Sequence, residues 1–430
     1  MSPERLPSYA EPLGSFSRTP SYSAEPGLYE QRLALNARLL PQPTGHFLKA
    51  SKHGDVKLRL SAQDDEVDLP VYGSGAIIEG TVELSKVDSV SSVEIKVEGH
   101  LELKEKGEGG HTHHTLCLDT VLLWTKDANN TVCPSSLRFS MTLPTEFQYE
   151  GRSFPLPPSH QTKLDGLPGF SAIVDYSISA IINKPHSINS KKLGIHIGNT
   201  IVSTPFIYYP RTRPILPIPS PLRSEAGRFI ERPEWKLYES VVKVNATTGV
   251  QDIGVKFYLP VSRIFCASQG IPFHVTFESD AHSLAVFLPY GPTGTSGKLP
   301  ATRVQVMRQS LVDVKHATIY SERANTAIWR VDYIGDAVFR HAGDGATHTS
   351  FSGEVKIDPI KVMGFHVPGL SIQDCILLTV EPPEGTNAPF VGIREVIPIR
   401  LTTDGWSEDG SGIAAARRSS GSSHRKEVPK

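Results

Sequence analysis

The chain has 430 residues, 39% hydrophobic and 21% charged, with a formal net charge of -1. That length allows roughly two to three domains, and the charge balance provides no global field to gather nucleic acid or a membrane surface. Gly 35 and Pro 34 suit strands and turns and argue against a mainly helical fold.

The four cysteines, Cys117, Cys133, Cys266 and Cys375, show no CxxC spacing. No apolar run precedes Ser17, so no secretory signal is expected. No stretch approaches the roughly 18 apolar residues of a membrane helix. The expected compartment is the cytosol, with reduced thiols, and the sequons at Asn129 and Asn245 are then chance matches.

Residues 1–53 are rich in Ser, Pro, Tyr and Glu and are expected to be a disordered leader, with a short helix over 31–40. Inside the leader, Leu6-Pro7-Ser8-Tyr9 has the LPxY spacing. A WW-domain groove takes a preformed extended proline and a tyrosine two residues later, so Leu6, Pro7 and Tyr9 are candidate contacts. Thr19-Pro20-Ser21-Tyr22 lacks the leading residue. Leu69-Pro70-Val71-Tyr72 has the spacing but enters the first hairpin and is expected to be folded away.

From Val56 strand signals dominate. Val56, Leu58 and Leu60 alternate with Lys57 and Arg59. Val71–Leu84 is the organising stretch: Ile78, Val82 and Leu84 share one face with Gly80, and the polar residues Glu79, Thr81 and Glu83 share the other. Gly73 and Gly75 permit a bent entry. Val93, Ile95 and Val97 alternate with Glu94, Lys96 and Glu98, so Ile95 is expected to face inward. Further strands are expected over 101–104, 116–124, 137–143, 173–182 and 194–205. His111, His113 and His114 fall between two of these and are expected in a solvated hairpin loop. A zinc site there lacks the usual four ligands.

Tyr209–Ser224 contains five prolines, stays extended, and marks the domain boundary. Within it Arg211, Pro214 and Pro217 fit the RxxPxxP pattern of an SH3 ligand, although an interdomain linker explains the same prolines by stiffness. Beyond it, strands are expected over 235–244, 252–259, 273–278, 285–288, 303–321, 328–333, 349–357, 375–381 and 395–401. The last residues turn to Gly, Ser, Arg and Lys. Ser419 and Ser420, following Arg417 and Arg418, fit a basophilic kinase site whose phosphate would cancel the local positive charge. The same residues suit a weak contact to anionic lipid headgroups or a merely solubilising tail.

The expected fold is all-β: two consecutive antiparallel β-sandwiches of immunoglobulin-like type over 54–209 and 225–403. A disordered leader over 1–53, a linker over 210–224 and a disordered tail over 404–430 complete the plan. For chemistry, G-x-S-x-G, P-loop and HExxH patterns are absent. Asp119, Asp165, Asp175 and Asp358 are scattered without a paired-carboxylate signal. No enzyme activity, catalytic residue, metal or cofactor is therefore expected.

Several pieces in order carry a family resemblance. YGSGAIIEGTVEL followed by SVEIKVEGHL resembles the first hairpin of an arrestin N-domain. LRFSMTLPTEF, LPPSH, LPGF and VDYSISAII resemble the same domain's later passage. LPVSRIFCASQG with IPFHVTFES, and EVIPIRL, resemble C-domain strands. The match spans about 55–403 and is similar to the α-arrestins, the arrestin-domain-containing proteins, more than to visual or β-arrestins, whose clathrin-box tail has no counterpart here.

That resemblance implies a non-catalytic adaptor in the cytoplasm, recruited to the plasma membrane or endosomes. Its partners would be cytosolic tails of membrane transporters or receptors, a WW-domain HECT ubiquitin ligase, and ubiquitin. The outcome would be ubiquitylation and endocytosis of the cargo, with no nucleic acid and at most peripheral membrane contact. A retromer-subunit-like sorting scaffold without ligase recruitment is the alternative, and a β-sandwich enzyme or carbohydrate-binding module the remote one.

Overall fold

The computed structural model describes residues 30–32, 45–64, 67–107, 110–184, 188–190, 195–197, 199–245, 249–292, 300–314, 327–382 and 388–408. The fold is all-β. Alternating sequences form strands because one face of each can be buried while the other stays polar.

The first half builds two sheets. Gly45–Ala50, Val56–Gln63, Ile77–Leu84 and Ser136–Thr142 form a four-stranded antiparallel sheet. Facing it are Val71–Tyr72, Thr200–Tyr208, Gly169–Asn183, Ser92–Lys106 and His111–Thr125, with His160–Leu164 on the flank of Gly169–Asn183. Leu58, Ile78, Val82 and Phe139 meet Val93, Ile95, Val97 and Ile178 in one buried cluster. Ile95 is fully buried, as its alternation requires. At Gly99 the Tyr176 ring lies across the strand, 2.4 Å from where a Cβ would stand. The ring can settle there because glycine leaves the space, and its hydroxyl donates to the Pro157 carbonyl at 2.6 Å.

The second half is one ten-stranded sheet running from Trp235–Val242 at one end to Ile264–Cys266 at the other. Phe257 and Phe273 from near the first end share a buried cluster with Ile397 and Leu401 from near the other. The sheet therefore folds over onto itself around a core.

Two long strands of this sheet join the cores. Thr302–Val312 and Leu370–Val380 pair antiparallel over their whole length. Val304, Val306, Ile376 and Leu378 lie in the second cluster, whereas Val312, Leu370 and Ile372 lie in the first. Successive alternate residues share a face, so a single sheet face passes from one core to the other.

Several boundaries differ from the sequence expectation. Gly45–Ala50, placed in the leader, is a strand held by its ladder to Val56–Gln63; its weak alternation reflects an edge position where only Gly45 and Phe47 are half-buried. Glu30–Arg32, also in the leader and partly in the expected helix over 31–40, pairs with Thr212–Pro214 of the linker. Asp404, placed in the tail, donates its backbone N–H to Thr212.

The expected strand over 285–288 is instead the end of a helix, Ala281–Phe287, and the start of a 3-10 turn. Asp280 caps it by accepting from the Ser283 N–H at 2.7 Å, an N-cap signal that outweighs a short apolar run. His111, His113 and His114 belong to the strand His111–Thr125 and not to a loop. The ladder carries on past a bulge at Gly99/His100, which sets the histidines opposite Lys104, Glu102 and Leu101. Between Ser136–Thr142 and His160–Leu164 lies the hairpin Glu146–Tyr149 with Arg152–Pro155, closed by Glu150 and Gly151, both at positive φ.

Candidate functional site

The face shared by the two cores carries one charged pair. Arg308 lies in phase with Val304, Val306 and Val312, and Asp374 with Leu370, Ile372 and Ile376. Directly opposite each other, they form a bidentate bridge: Arg308 Nε donates to Asp374 Oδ1 at 2.7 Å and Nη2 to Oδ2 at 2.9 Å. Arg308 Nη1 donates to the Val362 carbonyl at 2.8 Å. Both side chains are nearly sealed from solvent, at 10% and 1% exposure. A buried pair of this kind contributes little compared with apolar residues of the same shape, but losing one partner strands a charge. It is thus an expensive way to hold a sheet together and a specific way to fix one arrangement.

The first half supplies His160, which directly follows the LPPS stretch. Leu156, Pro157 and Pro158 are buried, and Ser159 is locked by donation of its N–H to Tyr208 O and acceptance from Tyr208 N. His160 meets Phe365 of the second half edge-on, with ring centroids 5.4 Å apart. Burial, and secondarily the Arg308 guanidinium, push its pKa down to about 4. The ring is therefore neutral, and its Nε2 is buried without a hydrogen-bond partner among the described residues. Beside these groups opens a cleft of about 90 Å³, bounded by Pro155, Pro158 and Tyr209 from one side and Met363, Phe365 and Arg400 from the other.

Where the chain crosses between the halves it is laced to the end of the last strand. Arg211 forms an ion pair with Asp404, one contact being Nε to Oδ2 at 3.0 Å. Thr212 N–H donates to Thr403 Oγ1, which in turn donates to Thr212 O. Two further bonds join the halves: Thr112 Oγ1 to Val314 O at 3.1 Å, and Arg330 Nη1 to Lys163 O at 2.6 Å.

Chemically, this arrangement ties the two cores together. Both carboxylate oxygens of Asp374 accept from Arg308. No group of three or more His, Cys, Asp or Glu side chains among the described residues is placed to hold a metal. No described helix is long and apolar enough to cross a membrane. The four cysteines are free and buried.

Of the candidates named from sequence, Leu6, Pro7, Tyr9, Ser419 and Ser420 lie outside the described residues. Arg211 is engaged by Asp404, Pro214 is buried opposite Glu30, and Pro217 is exposed. Tyr72 of the internal LPxY match is buried, edge-on to Phe206. His111 pairs with Glu102, His113 lies tilted against the His100 ring, and His114 packs against Phe147 and Tyr149, where burial lowers its pKa.

Arg308, Asp374 and His160 were not anticipated. The signal for the first two is a charge in phase with apolar neighbours: V-Q-V-M-R-Q-S-L-V and L-S-I-Q-D-C-I-L each carry one on the inward register. His160 carried no comparable signal.

No family model matches the chain. No curated protein gives a significant match either. The functional reading rests on the residues themselves.

Proposed function

We propose that this chain is a non-catalytic adaptor of the α-arrestin kind, with two β-sandwich domains that bind cytosolic tails of membrane proteins. In this reading the leader recruits a WW-domain ubiquitin ligase through Leu6, Pro7 and Tyr9, and cargo bound by the domains is ubiquitylated and internalised. The observation that carries the proposal is the junction. Two β cores share one continuous sheet face, and a bidentate buried ion pair lies between them. A scaffold whose halves must keep, or change, a defined relation has a use for such a pair. The order of the arrestin-like passages along the sequence supports the same reading.

The recruitment arm is tested by titrating a peptide of residues 1–30 with isolated WW domains. A single short motif is expected to bind at about micromolar strength. Pro7→Ala and Tyr9→Ala should each weaken binding about tenfold, because each removes a pocket-filling ring. Ser8→Ala should change little. Failure of the wild-type peptide to bind any WW domain would remove ligase recruitment and leave a cargo-binding scaffold.

A further inference from the structure

The first half leaves an opening at one corner of its two sheets. Among the described residues His111–Thr125 pairs only with Ser92–Lys106, and Ser136–Thr142 only with Ile77–Leu84. Both are edge strands. The hairpin at 146–155 packs against His114 through Phe147 and Tyr149, but from Leu118 onward no second described strand is hydrogen-bonded to His111–Thr125. A row of unpaired N–H and C=O groups is a template for another strand.

A second, independent feature lies at the same corner. Between the two edges runs a cavity of about 360 Å³ whose floor is apolar, made by Ile78, Val97, Leu116 and Met141. All four floor residues are buried. Its charged lining residues are Asp119 and Glu146, both acids. Asp119 stands opposite Val97 in the ladder, on the side of the sheet that faces the cavity, and is itself exposed at the mouth. Leu118 and Leu122, on the outer face, are 61% and 55% exposed.

We infer that this corner receives an extended peptide whose side chains alternate between basic and apolar. The peptide adds as a strand beside Leu118–Thr125. Its backbone satisfies the open edge, an apolar side chain enters the groove, and a Lys or Arg pairs with Asp119 and Glu146 at the mouth. Backbone pairing gives affinity and the groove gives selectivity, as in other strand-addition sites. The acidic mouth favours a basic partner and repels an acidic one. The inference deepens the adaptor reading, since it names the chemistry of a cargo segment and rests on that reading only for the source of the peptide.

The test uses the full chain and a labelled peptide of alternating lysine and valine, followed by fluorescence anisotropy. Saturable binding is expected, weakened about tenfold by Asp119→Asn. A glutamate–valine peptide, and the lysine–valine peptide N-methylated at every second residue, should not bind saturably. Glu146→Gln should weaken binding as well and serves if Asp119→Asn alters the melting temperature. Equal binding of the N-methylated or acidic peptide would overturn the proposal, as would indifference to both substitutions or no binding by the wild-type chain. WW-domain binding through residues 1–30, measured on the same proteins, should not respond to Asp119→Asn. Loss of one activity with retention of the other therefore separates this site from the ligase-recruiting arm.

Discussion

A charge in the inward register of a strand is the most informative kind of residue in this chain. In the inward register Arg308 follows Val304 and Val306, and Asp374 lies between Ile372 and Ile376; their mutual bidentate bridge is what makes the burial tolerable. Removing one partner leaves the other uncompensated, so Arg308→Met is expected to cost about 3–5 kcal/mol. The double variant Arg308→Met/Asp374→Leu should recover most of that loss in denaturant unfolding. A double variant destabilised by the sum of the two single losses would mean that the two side chains act independently. The alternation that places Ile95 inward was legible in the sequence, and so in principle was the phase of Arg308 and Asp374. Their pairing was not, because the partners are 66 positions apart. His160 was illegible for a different reason: its burial is supplied by Phe365 from the other half.

At the level of elements, the strands with a clean period of two were readable, and those that depart from it have identifiable causes. Ser92–Lys106 carries its pattern through Gly99, where a bulge and the Tyr176 ring hide the continuity. His111–Thr125 begins with polar residues on both faces, since its outer face is solvated and its inner face there meets Phe147 and Tyr149 at the sheet edge. A polar run then looks like a loop. Ala281–Phe287 follows a capping aspartate, a local signal that a short apolar run obscured. For the well-read strand the expectation is sharp. Ile95→Asp places an unpaired carboxylate between Val93 and Val97 in a fully buried row, at a cost of several kcal/mol. A melting temperature lowered by only a degree or two would show that the inward face is misassigned.

For the whole molecule, the junction makes stability depend on pH. The pKa of His160 is lowered in the fold from the ordinary 6.5 to about 4, first by burial and then by Arg308. Burial lowers that of His274 from 6.5 to about 4 as well; its Nε2 accepts from the Leu222 N–H. In this window the unfolded chain binds more protons than the folded one, so stability rises with pH. The contribution of these groups is complete above the unfolded value and is lost as pH falls from 6.5 toward 4. His160→Phe keeps an aromatic ring beside Phe365 but cannot titrate. It should lose less thermal stability than wild type between about pH 7.5 and about pH 5, with His274 accounting for part of what remains. An unchanged pH dependence would mean that His160 is more solvated than its contacts indicate.

The central claim, a non-catalytic adaptor between membrane cargo and a ubiquitin ligase, is tested most directly by proximity labelling in cells with the full chain as bait, beside a Tyr9→Ala variant. The account predicts that both label membrane transporters or receptors, and that a WW-domain HECT ligase is labelled by the wild type and lost from the variant. Labelling that contains neither membrane proteins nor a ubiquitin ligase would contradict it.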